Sequence, residues 1–242
     1  MENLKYSLKK GISGTYITFI RYNLKVVFGN KFVYFLGASL IFYFLVTLIN
    51  LFTSDSESIQ GVYYQLMFPA FLLIFFPTSY GIQNDEDARI LEILFGIPNY
   101  RYKIWLLRLV IAYFIVFWFI FIMASLSSVL IINVPKWEMT LRLMVPVGFI
   151  GMMGFFFSTV VKNGNGTAVV VVIIGLLAWI LVELLGNSAW NLFLNPFDLP
   201  NDMSEVVWSN IVAKHIRTWL IVSVVAGLWG LLNLQQREKF IK

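Results

Sequence analysis

The sequence predicts an all-α, polytopic membrane protein with six transmembrane helices, and three observations carry that expectation. The 242 residues are 59% hydrophobic and only 13% charged, against about 25% charged in an average soluble domain. Mean hydropathy is +0.79. The apolar residues fall into six runs, each near the ~20 residues needed to cross a hydrocarbon core of about 30 Å. A soluble fold of this length could bury a core, but it would need a charged shell that this chain lacks. Residues 1–242 read as a single domain, with no internal repeat, low-complexity tract or heptad seam.

Taken in order, the first element is the stretch 15–29, TYITFIRYNLKVVFG. It sets Ile17, Ile20, Leu24, Val27 and Phe28 at helical spacing, with Thr18, Arg21 and Lys25 on another side. That pattern fits an interfacial helix lying along the inner membrane surface, cations toward acidic headgroups; a plain extension of the first span is the alternative. The N-terminal residues lack the apolar core of a cleavable signal, so the first span is expected to act as the insertion signal. That span covers about 32–52, and the second covers 62–81 with Pro69 and Pro77 inside it. Such prolines kink a membrane helix without ending it, because neighbours satisfy the freed carbonyls.

The third span, about 104–132, is long enough to tilt. The fourth covers 143–161 and the fifth 167–185, joined by KNGNGT, which reads as a tight turn. The sixth covers 216–234. Before it, residues 186–214 carry NPF and LPN turn signals around Pro196 and Pro200. Their apolar and aromatic content predicts short helices packed on the membrane face in place of a free loop.

The net charge of +5 does not point to nucleic acid, because the basic residues lie between apolar runs and form no stripe. They point to orientation instead, since Lys and Arg are retained on the cytoplasmic side. With both termini cytoplasmic, only Lys136, Arg142, Lys214 and Arg217 of the 18 Lys and Arg residues fall outside. The expected location is the cytoplasmic (inner) membrane.

Candidates for chemistry are few. The chain has no cysteine and one histidine, His215, so thiolate sites and histidine-pair metal sites are excluded. His215 reads as solvated or interfacial at an outer helix boundary. Glu183 is the one carboxylate inside an apolar run, near the outer end of the fifth span. Intramembrane acids are candidate substrate contacts by default, although this one can snorkel outward. Ion-coupled carriers place ionisable groups near the bilayer midplane, and no phosphate-binding GxxxxGK[ST] loop is present. The chain is therefore expected to be no enzyme and to bind no cofactor of its own, drawing its energy from another polypeptide.

Between the second and third spans lies the most patterned polar stretch. Residues 84–98 predict a cytoplasmic amphipathic helix: Asn84 caps it, Asp85, Glu86 and Asp87 complement its dipole, and Asp85 pairs with Arg89. Glu92 extends that face, while Ile90, Leu91, Leu94 and Ile97 form the apolar one and Gly96 and Pro98 end the helix. Arg101, Lys103 and Arg108 anchor the third span. Such a helix suits docking to a soluble partner, or serves as a solvated connector.

Together these features resemble the membrane subunits of ABC-2 type exporters. Those permeases carry after their second span an E…GTLE…LL…P…R-like stretch, matched here by Glu86, Leu91, Glu92, Leu94, Pro98 and Arg101. FLNPF at 193–197 and the basic ending QQREKF at 235–240 resemble further family features. The chain departs where Arg89 and Ile90 replace the family's frequent Gly-Thr. The resemblance implies a permease that dimerises, with an identical or different second permease, and binds two copies of an ABC ATP-binding subunit holding ATP and Mg. Residues 84–98 would then be the coupling helix, with Asp85, Glu86, Arg89, Glu92, Pro98 and Arg101 at the ATPase interface. The family's path lies at the dimer interface, where the first, second and fifth spans are prominent. Gln65, Pro69, Pro77, Thr78 and Ser79, with Glu183, are the pathway candidates, and lipid-like, peptide-antibiotic or polysaccharide cargo all stay open. The alternatives are an ABC-2 type anchor for a motility or signalling machine and an ion-coupled secondary transporter.

Overall fold

A computed structural model describes residues 32–52, 58–96 and 99–235, with Arg101 and Lys103 described by backbone alone. The expected interfacial helix at 15–29, Pro98 and nearly all of the basic ending lie outside the described residues. All the regular secondary structure of the described residues is helical, and six of the helices are long and apolar enough to cross a membrane. The protein is thus a multi-pass membrane protein by length and composition of its helices. The spans are Phe32–Phe52, Ile59–Asp87, Ile104–Leu130, Lys136–Val161, Gly164–Leu185 and Glu205–Asn233. At 1.5 Å per residue they run about 32–44 Å.

Several helices extend past their apolar stretches. The second begins at Ile59, capped by Ser58, whose hydroxyl accepts from the Gly61 N–H, and continues to Asp87. The fourth begins at Lys136 after Pro135, and the sixth begins at Glu205, capped by Ser204. Polar residues at helix ends keep their backbone bonds, so apolarity marks the minimum length of a span. The glycine-rich turn is shorter than expected. Lys162 adopts the left-handed conformation that ends the fourth span, and Asn163 caps the fifth by accepting from the Gly166 N–H at 3.0 Å.

The fourth span is the hub of the bundle, packing against the second, third, fifth and sixth spans. Its glycines allow the close approach. A Cβ on Gly154 would lie 2.7 Å from Thr78 Oγ1 of the second span, and one on Gly151 would collide with Tyr113 of the third. Gly227 and Gly230 of the sixth span receive Met152 and Phe155 in the same way. Small residues at helix crossings provide van der Waals contact, which drives association where lipid offers no hydrophobic incentive. The first span is held to the second and third by hydrogen bonds from buried polar groups. Tyr43 Oη donates to the Met123 carbonyl, Ser39 Oγ to the Pro69 carbonyl, and Gln65 Nε2 to Thr47 Oγ1 at 2.7 Å.

Residues 186–204 form no helix, contrary to expectation. Asn191 and Asn195 each accept, through Oδ1, the N–H two residues on, at 3.0 Å. These Asx turns compete with helical bonding, and Pro196 and Pro200 lack the N–H that a continuing helix requires. The segment is nevertheless packed. Leu192, Phe193 and Leu194 are buried, and Gln60 Nε2 donates to the Phe197 carbonyl while Asn195 Nδ2 donates to the Gln60 carbonyl.

Candidate functional site

The connector between the second and third spans is built differently from the continuous helix its sequence predicts. Asn84 is not a cap but sits in the last turn of the second span. The helix stops at Asp87 in a Schellman arrangement: the Arg89 N–H donates to the Glu86 carbonyl and the Ile90 N–H to the Asp85 carbonyl. Arg89 holds the left-handed position there, with φ 55°. A separate six-residue helix, Leu91–Gly96, follows. Its Leu91, Leu94 and Phe95 are buried against Ile104, Trp105 and Leu109 of the third span and Leu231 and Leu234 at the end of the sixth. Tyr100 adds a bond from its hydroxyl to the Leu234 carbonyl. The opposite edge is open: Arg89, Glu92 and Ile93 are exposed, and Glu86 is half-buried.

Asp85 does not pair with Arg89 on an exposed face. It is 1% exposed and forms a salt bridge with Arg108 of the third span, itself 7% exposed. The reason lies in the helix. Ile74, Thr78, Ile82 and Asp85 recur at spacings of four and three, so Asp85 continues the buried stripe of the second span. Ion pairs removed from water gain little net stability, yet deleting one partner costs about 3–5 kcal/mol. The pair therefore ties the connector's start to the third span at a fixed point.

Beside the pair is a cavity of about 30 Å³ lined by Pro77, Thr78, Asn84, Trp105, Arg108 and Phe155, among others. The Arg108 guanidinium lies 4.9 Å from the centre of the Trp105 ring. Arg108 Nε and Nη2 and Trp105 Nε1 are buried and find no hydrogen-bond partner among the described residues. Each unsatisfied buried donor costs about 1–3 kcal/mol. Trp105 sits in a π-helical turn, Arg101–Leu106, a local widening often found at functional sites.

A larger apolar groove of about 490 Å³ opens elsewhere, between the first, second, fourth and fifth spans. Phe42, Phe68, Phe71, Phe75, Leu176 and Trp179 are among its lining residues. The second-span pathway candidates do not border it. Gln65, Pro69, Thr78 and Ser79 are buried on the helix's inner faces, where Gln65 bonds Thr47 and Thr78 Oγ1 donates to the Ile74 carbonyl at 2.7 Å. Pro77 and Thr78 instead line the small cavity beside Arg108. Glu183 is exposed on the fifth span, apart from both. The aromatic residues of the second span at the groove fall at i, i+4, i+7 and i+11 (64, 68, 71 and 75), a helical stripe legible in the sequence.

His215 is not solvated. It is 2% exposed, reaching the backbone of Ala189 and Asn191 in the turn segment. Among the described residues no three His, Cys, Asp or Glu side chains gather into a metal-binding group. Fold and connector define the class: a six-span helical membrane protein with a rigidly docked helix at one end and an apolar groove open to its surroundings. No protein family, curated protein or solved structure matches the chain.

Proposed function

We propose that this chain is the membrane-spanning permease subunit of an ATP-driven ABC-2 type exporter, working with a separate ATP-binding subunit and a second permease. The observation that carries the reading is the connector. Its short helix is fixed to the third and sixth spans by an apolar underside, the end of the second span that leads into it is tied to the third through Asp85 and Arg108, and the connector as a whole bears Glu86, Arg89 and Glu92 on its accessible edge. A push on that edge reaches the bundle without being absorbed by a flexible loop. Such coupling requires a partner whose contacts differ between two states. In this reading the connector, both termini and the interfacial helix face the cytoplasm, where positive residues are retained.

The first and fifth spans leave most of their apolar surface uncovered by the other described residues, and the second permease packs there, across the groove. The groove's almost wholly apolar lining favours lipid-like cargo over polysaccharide, whose hydroxyls would lose their hydrogen bonds on such a wall.

Co-purification tests the proposal. An ABC ATP-binding subunit encoded beside this chain is expected to come down with it, and to be lost when Glu86→Lys, Arg89→Glu and Glu92→Lys are combined. Undiminished association in that triple variant removes the assignment of the connector. Transport by the purified chain that persists without ATP and collapses with an ion gradient would identify a secondary carrier instead.

A further inference from the structure

We propose that the apolar groove holds a single acyl chain of a bilayer lipid, drawn from the leaflet on the side of the 186–204 segment. The assignment requires only that the helices span a membrane and stands apart from the transport reading. The groove runs along the second span from Tyr64 to Phe75, about 16 Å at 1.5 Å per residue. That is about half of a ~30 Å hydrocarbon core, the depth that one lipid chain covers. Divided by this length, the volume of about 490 Å³ leaves a cross-section of about 30 Å², or about 6 Å across. An α-helix with its side chains is about 10–12 Å wide and cannot enter. A polymethylene chain, whose carbons rest about 4 Å from their neighbours, fits. A helix of a second copy can lie over the groove without filling it.

The groove also changes polarity along its length as a lipid does. No charged residue lines it. Its two polar tips, the Tyr64 hydroxyl and the Trp179 indole N–H, belong to residues at one end: Tyr64 lies five residues from the start of the second span and Trp179 six from the end of the fifth. There the Phe193 ring of the 186–204 segment meets Trp179, with 5.6 Å between centroids. Asn195 and Asp198 stand beside the Tyr64 hydroxyl. Tyrosine and tryptophan rings settle where headgroups meet hydrocarbon, so the glycerol esters belong at this end. The far end, at Phe75 and Val171, is hydrocarbon alone and receives the methyl terminus. Phe68, Val172 and Leu176 are exposed along the groove, and an occupant completes their van der Waals contacts.

The test uses the full-length chain in vesicles of phosphatidylethanolamine and phosphatidylglycerol that carry a trace of phosphatidylethanolamine with a diazirine on one acyl chain. The protein is taken into detergent, washed and then irradiated, so that only retained lipid labels it. Label is expected on the groove-lining stretches of the second and fifth spans and not on Leu220, Val224 and Leu228 of the sixth, which are exposed outside the groove. A diazirine near the ester should mark the Tyr64 and Trp179 end, and one at the chain terminus the Phe75 and Val171 end. Gly175 lines the groove, and a Cβ there would meet nothing within 4 Å among the described residues. Gly175→Phe therefore fills the space and should lower labelling about threefold or more by displacing the chain from its contacts. Val172→Trp crowds the same wall and keeps the test decisive if Gly175→Phe fails to fold. Gly37→Phe, equally unobstructed but not at the groove, should label like the parent. An unlabelled groove, equal label on the sixth span, full labelling in either folded groove variant, or the two probes marking the opposite ends each overturns the proposal.

Discussion

Arg89 holds a backbone conformation that a Cβ disfavours, and the turn around it explains why. The Ile90 N–H reaches back to the Asp85 carbonyl only if the intervening residue is left-handed. A non-glycine residue there carries about 1–2 kcal/mol of strain. Arg89→Gly is therefore expected to stabilise the chain by about 0.5–1 kcal/mol, the relief being offset in part by glycine's freedom when unfolded; thermal melting of the purified protein reads it. The left-handed φ of Arg89 becomes visible only once the helix is seen to stop at Asp87. Asp85 escapes the sequence pattern for a related reason. A carboxylate beside Glu86 and Asp87 reads as part of a solvated cluster, and only the buried stripe through Thr78 and Ile82 marks it as different. Its partner lies 23 residues on, beyond any local pattern.

At the scale of elements, the spans were legible because lipid demands a long apolar run whatever the neighbours are. Their ends were not, since backbone bonding carries Gln83–Asp87 along as helix after the apolar stretch has finished. Composition hides the turns of 186–204: aromatic content signals packing, which turns and helices achieve alike. Which spans touch is also unreadable from periodicity, since contact is settled by notches such as Gly151 and Gly154. Gly154→Leu, whose Cβ would sit 2.7 Å from Thr78 Oγ1 and 3.1 Å from Ser79 Oγ, is expected to destabilise the bundle by about 1–3 kcal/mol or more. Gly37→Leu, at a position with no neighbour within 4 Å among the described residues, should melt within a degree or two of the parent. Equal loss in both would mean that the second and fourth spans do not approach this closely.

Considered whole, the molecule has two ends, one formed by the connector and the 4–5 turn and the other by the packed 186–204 segment. Because the chain contains no cysteine, single replacements report on each end without background. Glu92→Cys and Asp202→Cys both lie at exposed positions. In intact cells an impermeant maleimide should label Asp202→Cys and spare Glu92→Cys until the membrane is opened. The reverse pattern would turn the protein over and end the proposed ATPase contact. The join at Tyr100 and Leu234 has a further consequence for synthesis. Leu91, Leu94 and Phe95 are covered in part by Leu231 and Leu234, which the ribosome adds roughly ten to thirty seconds later at ordinary elongation rates. Until the last helix has entered the bilayer, the underside of the short helix stays open on the nascent chain. Translation that stalls late would therefore leave a greasy, unfinished joint for quality-control proteases to find.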